Sequence, residues 1–177
     1  MRGFSRNEFN GVVAGFLTLL VGCASASHGT APGAAPAQTD MFIGTVQLTG
    51  PDSSASVSLL PTSANGDEMY GLPIKLAGPP SLRSVRGLLV RVVGTQAHDK
   101  RWPDRVTVLS FTVIAAKGQP ATDGMLADDA GALYIVTPDG RWHTLGHPPA
   151  ELHAHVGARV WIAGPLDREP IAFGVIE

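Results

Sequence analysis

Four histidines in the C-terminal third lie within one short stretch and are candidates for metal chemistry. They are His143, His147, His153 and His155, and a neutral imidazole is the commonest metal ligand in proteins. The spacing argues against one shared site, because neighbours on one face of a helix are three or four residues apart and His153 and His155 are not. We therefore predict surface histidines and no metal or other cofactor, with copper or zinc capture as the weak alternative.

Aromatic and arginine side chains are candidates for binding a ligand or a protein partner. We expect Trp161 on the outward face of a strand, where an indole could stack on a sugar or a peptide. Tyr134 and Trp142 are the other candidate rings of this half, and Arg91 and Arg159 could add polar contacts. The alternative is structural: the rings complete the core or cover a surface where two parts meet, and the arginines lie on solvated strand edges.

Two motifs of known hydrolases are absent from the sequence. It contains neither a Gly-x-Ser-x-Gly elbow nor a His-Glu-x-x-His pair, which would carry a nucleophile or zinc ligands. Asp123, Asp128 and Asp129 surround Gly124 without the spacing of a calcium loop, and we expect them in a solvated turn. The sequence therefore predicts a protein that binds rather than catalyses, and a small hydrolase is the least favoured alternative.

The first 22 residues have the pattern of a secretory signal. Arg2 and Arg6 precede an apolar run at residues 12–21. This run is shorter than the roughly 20 residues of a membrane-spanning helix and fits the about 7–15 residues of a signal's apolar core. Cys23 follows the run and is the one cysteine of the chain, so no intramolecular disulfide can form.

The stretch Leu20-Val21-Gly22-Cys23 resembles the lipobox of bacterial lipoproteins. In that family the cysteine sulfur receives a diacylglyceryl group, the signal is cut before the cysteine, and the new amino group is acylated. The resemblance implies cleavage between Gly22 and Cys23 and a bilayer anchor at Cys23, which two or more acyl chains would make stable. Ala24 stands where Asp would signal inner-membrane retention in many such proteins. The implied location is the outer membrane facing the periplasm, with the inner membrane as the alternative.

Composition separates a tether from a folded part. Residues 23–40 are rich in Ala, Ser, Gly and Pro and lack aromatic and branched apolar side chains, so we expect a disordered, flexible linker after the cysteine. The formal net charge of the chain is -2. This near-balance argues against a nucleic-acid partner, which would need a basic face.

From residue 41 onward, apolar runs alternate with turn signals, which predicts a mainly β fold. We predict strands at residues 41–48, 57–60, 69–76, 88–93, 106–116, 124–126, 132–137, 141–145, 159–163 and 171–176. Short helical segments are expected at residues 81–85 and 148–156. A hairpin turn is expected at residues 137–141, where Pro138 and Gly140 suit the corners.

Residues 41–117 and 118–177 can be aligned as two copies of one pattern. Gly87 falls on Gly157, and Gly94 falls on Gly164. Alternation along a strand places the apolar residues between these glycines on one face and Arg91 or Trp161 on the other. The apolar residues so aligned are Val90 with Val160 and Val92 with Ile162.

Each half has three strands, a short helical segment and two further strands, an order that resembles the OB-fold, a small five-stranded barrel. The resemblance implies a mainly β fold with one or two small OB-like barrels, arranged as a tandem repeat if both halves form one. A β-sandwich is the alternative architecture.

Together these features predict a lipid-anchored binding or scaffolding module of the periplasm. Its partners would be the bilayer, through acylated Cys23, and a protein of the cell envelope bound by a β surface. The alternative is capture of a small ligand, a glycan or a metal through the Trp161 or histidine regions.

Overall fold

The computed structural model describes residues 39–51, 54–62, 72–96 and 104–177. These residues form a mainly β fold, as the sequence predicts. In chain order the elements are β1 (Thr39–Thr49), β2 (Ser56–Pro61), β3 (Ile74–Ala77), the 3-10 helix η1 (Pro80–Arg83), β4 (Leu89–Gln96), β5 (Arg105–Ala116), β6 (Gln119–Asp129), β7 (Ala132–Val136), β8 (Trp142–Thr144), the 3-10 helix η2 (Ala150–His155), β9 (Arg159–Ala163) and β10 (Ala172–Val175). In these residues no helix is long and apolar enough to cross a bilayer. The predicted signal, Gly22 and Cys23 lie outside them.

The first five strands close into a ring, here called the first barrel. β1 pairs antiparallel with β2 and β4, and β2 pairs antiparallel with β3. β5 closes the ring by pairing antiparallel with β4 and parallel with β3. Alternate side chains point inward, so Val46, Leu59, Val90 and Val92 are fully buried, and Leu82 of η1 packs in the same core.

The last five strands form a second barrel with the same pairing plan. β6 pairs with β7 and β9, β7 pairs with β8, and β9 pairs with β10. Within the described part of the chain, β8 and β10 do not pair. Instead the N–H of Gly146, after β8, donates to the carbonyl of Leu166, after β9, at 2.8 Å. The core of this barrel contains Leu126, Leu133, Ile135, Leu152, Val160 and Ile162.

A glycine in the first strand of each barrel marks the same close approach of two backbones. A Cβ atom on Gly44 would overlap the carbonyl of Leu60, and a Cβ atom on Gly124 would overlap the carbonyl of Val136. Both glycines lie beside the second strand of their barrel, in the same register. The two barrels therefore share this close contact between backbones. Glycine is needed at both positions because a side chain would not fit there.

A second pair of glycines repeats at the entry to the fourth strand. Gly87 and Gly157 have φ angles of 76° and 85°, a conformation that glycine adopts without strain. Their N–H groups donate to the carbonyls of Val46 and Leu126, each at 2.8 Å. The alignment of Gly87 with Gly157 made from the sequence is therefore confirmed.

Several predicted boundaries are wrong. β6 has eleven residues rather than the three predicted at 124–126, because Lys117 and Gly118 form a two-residue turn with φ angles of 52° and 72°. β1 includes Thr39 and Asp40, so the linker ends earlier than predicted. β4 continues through Gly94, where its pairing with β5 shifts register. β3 is Ile74–Ala77, and part of the predicted strand at 69–76 lies outside the described residues.

The remaining local predictions agree with the structure. The two helical segments are the 3-10 helices η1 and η2. At the 137–141 turn the N–H of Thr137 donates to the carbonyl of Arg141 at 2.9 Å, and Gly140 has φ 80°. The predicted boundary between the halves lies in the turn between β5 and β6. The halves are not independent, because Trp161, Ala163 and Ile176 of the second barrel pack in the core of the first.

Candidate functional site

Asp123, on β6, is a buried carboxylate between the two barrels. It is 2% exposed. Its Oδ1 accepts a hydrogen bond from Nε of Arg159 at 2.8 Å, and its Oδ2 accepts one from Nη2 at 2.7 Å. Oδ2 also accepts from the N–H of Val113, on β5, at 2.8 Å. Because Arg159 belongs to the second barrel and Val113 to the first, this carboxylate joins the two.

The guanidinium of Arg159 completes the same joint. It donates to the carbonyl of Phe111, on β5, at 2.5 Å, and its Cζ lies 4.5 Å from the centre of the Phe111 ring. A planar guanidinium can make a bidentate carboxylate contact and stack on an aromatic ring at the same time. Arg159 is therefore not on a solvated strand edge, and its role here is to hold β9 and β6 against the first barrel.

The three aspartates that we expected in one solvated turn have different surroundings. For Asp123 the prediction is wrong. Asp128 and Asp129 are exposed at the end of β6, whereas Asp123 is buried in the strand. The sequence offers one signal for this difference. Alternation from the buried Leu126 places Asp123 on the outward face of β6. A residue there can be buried only if another element packs on that face.

Trp161 lies on the face of β9 opposite Val160 and Ile162, as alternation predicts, but that face is covered. The indole is 8% exposed and packs in the core of the first barrel. It lies against Gly174 of β10, where a Cβ atom would approach the ring to 2.8 Å. The expectation of an open stacking platform at Trp161 is therefore corrected: the ring is part of the joint between barrels.

Tyr134 and Trp142 are brought together on the outside of the second barrel. Their ring centroids lie 5.6 Å apart at an interplanar angle of 64°, an edge-to-face geometry favourable for aromatic pairs. Trp142 is 60% exposed. On the neighbouring strands Val136 is paired with Trp142, and Met125, 46% exposed, is paired with Val136.

These side chains form one continuous outer surface, which we call the Trp142 face. It comprises Met125, Ala127, Tyr134, Val136 and Trp142 of β6, β7 and β8. Their strand neighbours Leu126 and Ile135 point into the barrel core, so alternation directs the five side chains outward. Of the predicted ligand or partner residues, the structure therefore brings two together on an open surface, and it adds Met125, Ala127 and Val136.

Arg91 and the histidines are not part of this face. Arg91 is exposed on β4, which pairs with β1 and β5 of the first barrel. His143 is half-buried on β8 beside Ile135, His147 is exposed, and η2 carries His153 and His155. Among residues 39–51, 54–62, 72–96 and 104–177, no group of three or more His, Cys, Asp or Glu side chains is placed to hold a metal ion.

One carboxylate on the turn beside the Trp142 face has a shifted pKa. The hydroxyl of Thr137 donates to Oδ1 of Asp139 at 2.5 Å, and Nε of Arg141 lies 3.0 Å from Oδ2. The hydrogen bond from Thr137 is the main cause that lowers the pKa of Asp139, and the charge of Arg141 adds to it. These contacts link three side chains of the hairpin turn that leads into Trp142.

A comparison with protein-family models finds no match to this chain, and searches of curated proteins and of solved structures find none either.

Proposed function

We propose that this protein is a lipid-anchored binding module of the bacterial cell envelope, and that the Trp142 face receives a protein partner. The anchor is Cys23, by the resemblance of Leu20-Val21-Gly22-Cys23 to a lipobox. The location that goes with it is the outer membrane, with the barrels in the periplasm. The observation that carries the binding role is the aromatic pair on the second barrel, in which Trp142 is 60% exposed and Tyr134 is half-buried.

The chemistry of the Trp142 face suits a protein interface. Tryptophan and tyrosine are enriched at the energetic centres of interfaces, and methionine adapts its shape to a partner. A single exposed apolar residue needs no explanation. Here, however, Met125, Val136 and Trp142 are aligned across three adjacent strands. Covering such a row is favourable, but each side chain would contribute less than the about 1.5–3 kcal/mol of full burial, because Met125 and Trp142 are already partly covered.

The edge of β8 adds a second means of recognition. Within the described residues β8 pairs only with β7, so its outer edge offers backbone N–H and C=O groups next to Trp142. An extended partner segment can add to such an edge as a further strand. This combination favours a peptide or protein partner over a ligand that binds by stacking alone.

A glycan is the second candidate ligand of the same face. The exposed indole of Trp142 offers a surface on which a sugar ring can stack, and OB-folds are known to bind oligosaccharides. Quenching or a shift of the Trp142 fluorescence on titration with glycan fragments, abolished in Trp142→Phe, would favour the glycan over the protein.

The test of the partner role is photo-crosslinking in intact cells. A photoreactive amino acid is placed at position 142 of the full chain and, as the matched control, at position 109. Leu109 is 61% exposed on the first barrel, so the two probes are equally accessible. We expect one dominant crosslinked protein from position 142 and not from position 109. Equal yields of the same protein from both positions would contradict the proposal.

Two tryptophan substitutions separate a binding role from a folding role. Trp142→Ala should abolish the crosslink made from a neighbouring probe at position 125 while changing the free energy of unfolding by less than about 1 kcal/mol, because the ring is largely solvated. Trp161→Ala should lower that free energy by about 3–5 kcal/mol, as expected for a buried aromatic ring. A stability loss at Trp142 as large as at Trp161 would instead make Trp142 a structural residue.

The anchor has its own test, which does not depend on the Trp142 face. Cells expressing the full chain are labelled with radioactive palmitate, and membranes are separated from the soluble fraction. The wild type should carry label and sediment with the outer membrane, whereas Cys23→Ser should carry none. Unchanged labelling of Cys23→Ser would contradict lipidation at this residue.

A further inference from the structure

The first barrel carries a polar, basic row where the second barrel carries part of the Trp142 face. In the first barrel Gln47 of β1 lies opposite Ser58 of β2, Ser58 lies opposite Lys75 of β3, and Lys75 lies beside Arg105 of β5. In the register of the repeat, the corresponding residues of the second barrel are Ala127, Tyr134 and Thr144. The same outer surface of the two barrels therefore presents different chemistry.

A groove of about 600 Å³ opens at the end of this row, between the start of β2, β3, η1 and the start of β5. Three of the described side chains that line it are cationic, Lys75, Arg83 and Arg105, and none of those described is a carboxylate. Apolar residues provide part of its wall, including Val57, Leu76 and Pro79. We propose that this groove, the Lys75 groove, is a binding site for a phosphate-bearing ligand.

The strongest argument is the juxtaposition of Lys75 and Arg105. They are direct partners in the parallel pairing of β3 with β5, and both side chains are exposed. The N–H of Lys75 donates to the carbonyl of Asp104 at 3.0 Å, which fixes this register. Like charges at facing positions of neighbouring strands repel each other, and no carboxylate of the described residues forms a salt bridge with either one. A bound anion would convert this repulsion into attraction.

A neighbouring arginine supports the assignment. Nη2 of Arg83 donates to the carbonyl of Ala55 at 2.9 Å, which holds the guanidinium at the wall of the groove.

The donor set defines the class of ligand. Guanidinium and ammonium groups together favour phosphate oxygens, because arginine binds them through two parallel hydrogen bonds and lysine as a point charge. The apolar wall leaves room for a carbon portion beside the phosphate. Two sources share this chemistry: a soluble phosphorylated molecule, and the headgroup of an anionic phospholipid.

The experiment uses the full chain carrying Cys23→Ser, so that acyl chains do not hold it to membranes, in buffer of low ionic strength because salt screens exposed charges. Inorganic pyrophosphate is titrated by calorimetry. In parallel, vesicles of phosphatidylcholine with and without phosphatidylglycerol are tested by co-sedimentation. Lys75→Glu with Arg105→Glu is compared with Lys117→Glu with Arg168→Glu. The control pair makes the same change of net charge at exposed positions outside the groove.

We expect binding of pyrophosphate, or of the vesicles that contain phosphatidylglycerol, and a weakening of at least about tenfold in the Lys75/Arg105 variant, since charge-assisted hydrogen bonds are lost. Pyrophosphate binding would indicate a soluble ligand, and vesicle binding alone would indicate a headgroup. The control pair should bind as the wild type does. Circular dichroism verifies folding, and Lys75→Gln with Arg105→Gln replaces the first variant if it does not fold.

The proposal is overturned if neither probe binds, if the Lys75/Arg105 variant binds as well as the wild type, or if the control pair weakens binding equally. Trp142→Ala should leave phosphate binding unchanged, because Trp142 belongs to the other barrel. The experiments can therefore overturn the phosphate-binding role of the Lys75 groove without affecting the proposed role of the Trp142 face, and the reverse.

Discussion

Among the described residues, strands β3 and β5 pair in the first barrel, whereas their counterparts β8 and β10 do not pair in the second. The first barrel is therefore closed by its own backbone. The second barrel instead places one side of β6 and β9 against the first barrel, through the joint of Asp123, Arg159 and Trp161. Two copies of one strand plan thus differ in their closure: the first has a paired β3–β5 edge, and the second has a backbone hydrogen bond from Gly146 to Leu166 instead.

The interiors of the two barrels are alike, and their outer surfaces are not. Gly44 and Gly124 occupy the same close approach, and Leu82 and Leu152 are the buried residues of the two 3-10 helices. The outer rows, by contrast, contain Lys75 in one barrel and Tyr134 in the other. Interior positions are constrained by close packing, while exposed positions can change with little effect on the fold. One architecture can therefore carry two binding surfaces of different chemistry.

Among the polar contacts between the barrels, the largest loss of stability is expected from Asp123→Ala. It should lower the free energy of unfolding by about 3 kcal/mol, because Arg159 and the N–H of Val113 lose their partner; this is the lower end for a broken buried pair. The Arg159 side chain is 29% exposed, so water compensates for part of the loss. Urea denaturation measures the change.

Hydrogen exchange shows which barrel depends on the joint. In Asp123→Ala we expect amide exchange to accelerate, relative to wild type, more at Leu133 and Ile135 of the second barrel than at Val90 and Val92 of the first. Asp129→Ala, an exposed residue of the same strand, should change stability by less than about 0.5 kcal/mol. Equal loss of protection in both barrels would mean that the second barrel does not rely on the joint more than the first.

Equal effects are expected from Gly44→Ala and Gly124→Ala. Each added methyl group would push against a carbonyl of the next strand, and overpacking of this kind costs about 1–3 kcal/mol. Thermal unfolding of the two variants, with the exposed Thr107→Ala as the reference, measures the cost. A much smaller loss of stability for Gly124→Ala than for Gly44→Ala would show that the second barrel relaxes around the added methyl group and the first does not. The interiors of the two barrels would then be less alike than their glycines indicate.

The smallest effect concerns the hairpin between β7 and β8, which replaces a much longer connection between β2 and β3. Thr137→Ala should raise the pKa of Asp139 toward its ordinary value, because the main cause of its lowering is removed. The pKa of Asp139 is lowered in the folded state, so its contribution to stability is present above the ordinary pKa and is lost as the pH falls through the lowered value. The stability difference between wild type and variant should therefore become smaller as the pH falls through that range.

Titration of the Asp139 carboxyl by NMR measures this shift. Arg141→Gln is the matched comparison, and it should raise the pKa of Asp139 less than Thr137→Ala does, since the charge of Arg141 is a smaller cause. A larger shift in Arg141→Gln would contradict the assigned order of causes.

The candidate sites were only partly predictable. Tyr134 and Trp142 could be named from residue type, but their contact depends on the pairing of β7 with β8. Lys75 and Arg105 are thirty positions apart in the sequence, and only the parallel pairing of β3 with β5 makes them neighbours. Asp123 was missed because Thr122 and Gly124 flank it, and such residues are also typical of turns.

The sequence by itself determined most of the strands, their inward faces and the repeat, but not the length of β6. The inward faces follow from the sequence because the alternation of side chains along a strand is a local property of the backbone. It placed Arg91 and Trp161 at equivalent outward positions of β4 and β9. Only the tertiary structure decided their surroundings: Arg91 is exposed, and Trp161 is 8% exposed. The reason is that the outward face of β9 packs on the core of the first barrel, and the covering of an outer face depends on contacts between distant segments rather than on the residues of the strand.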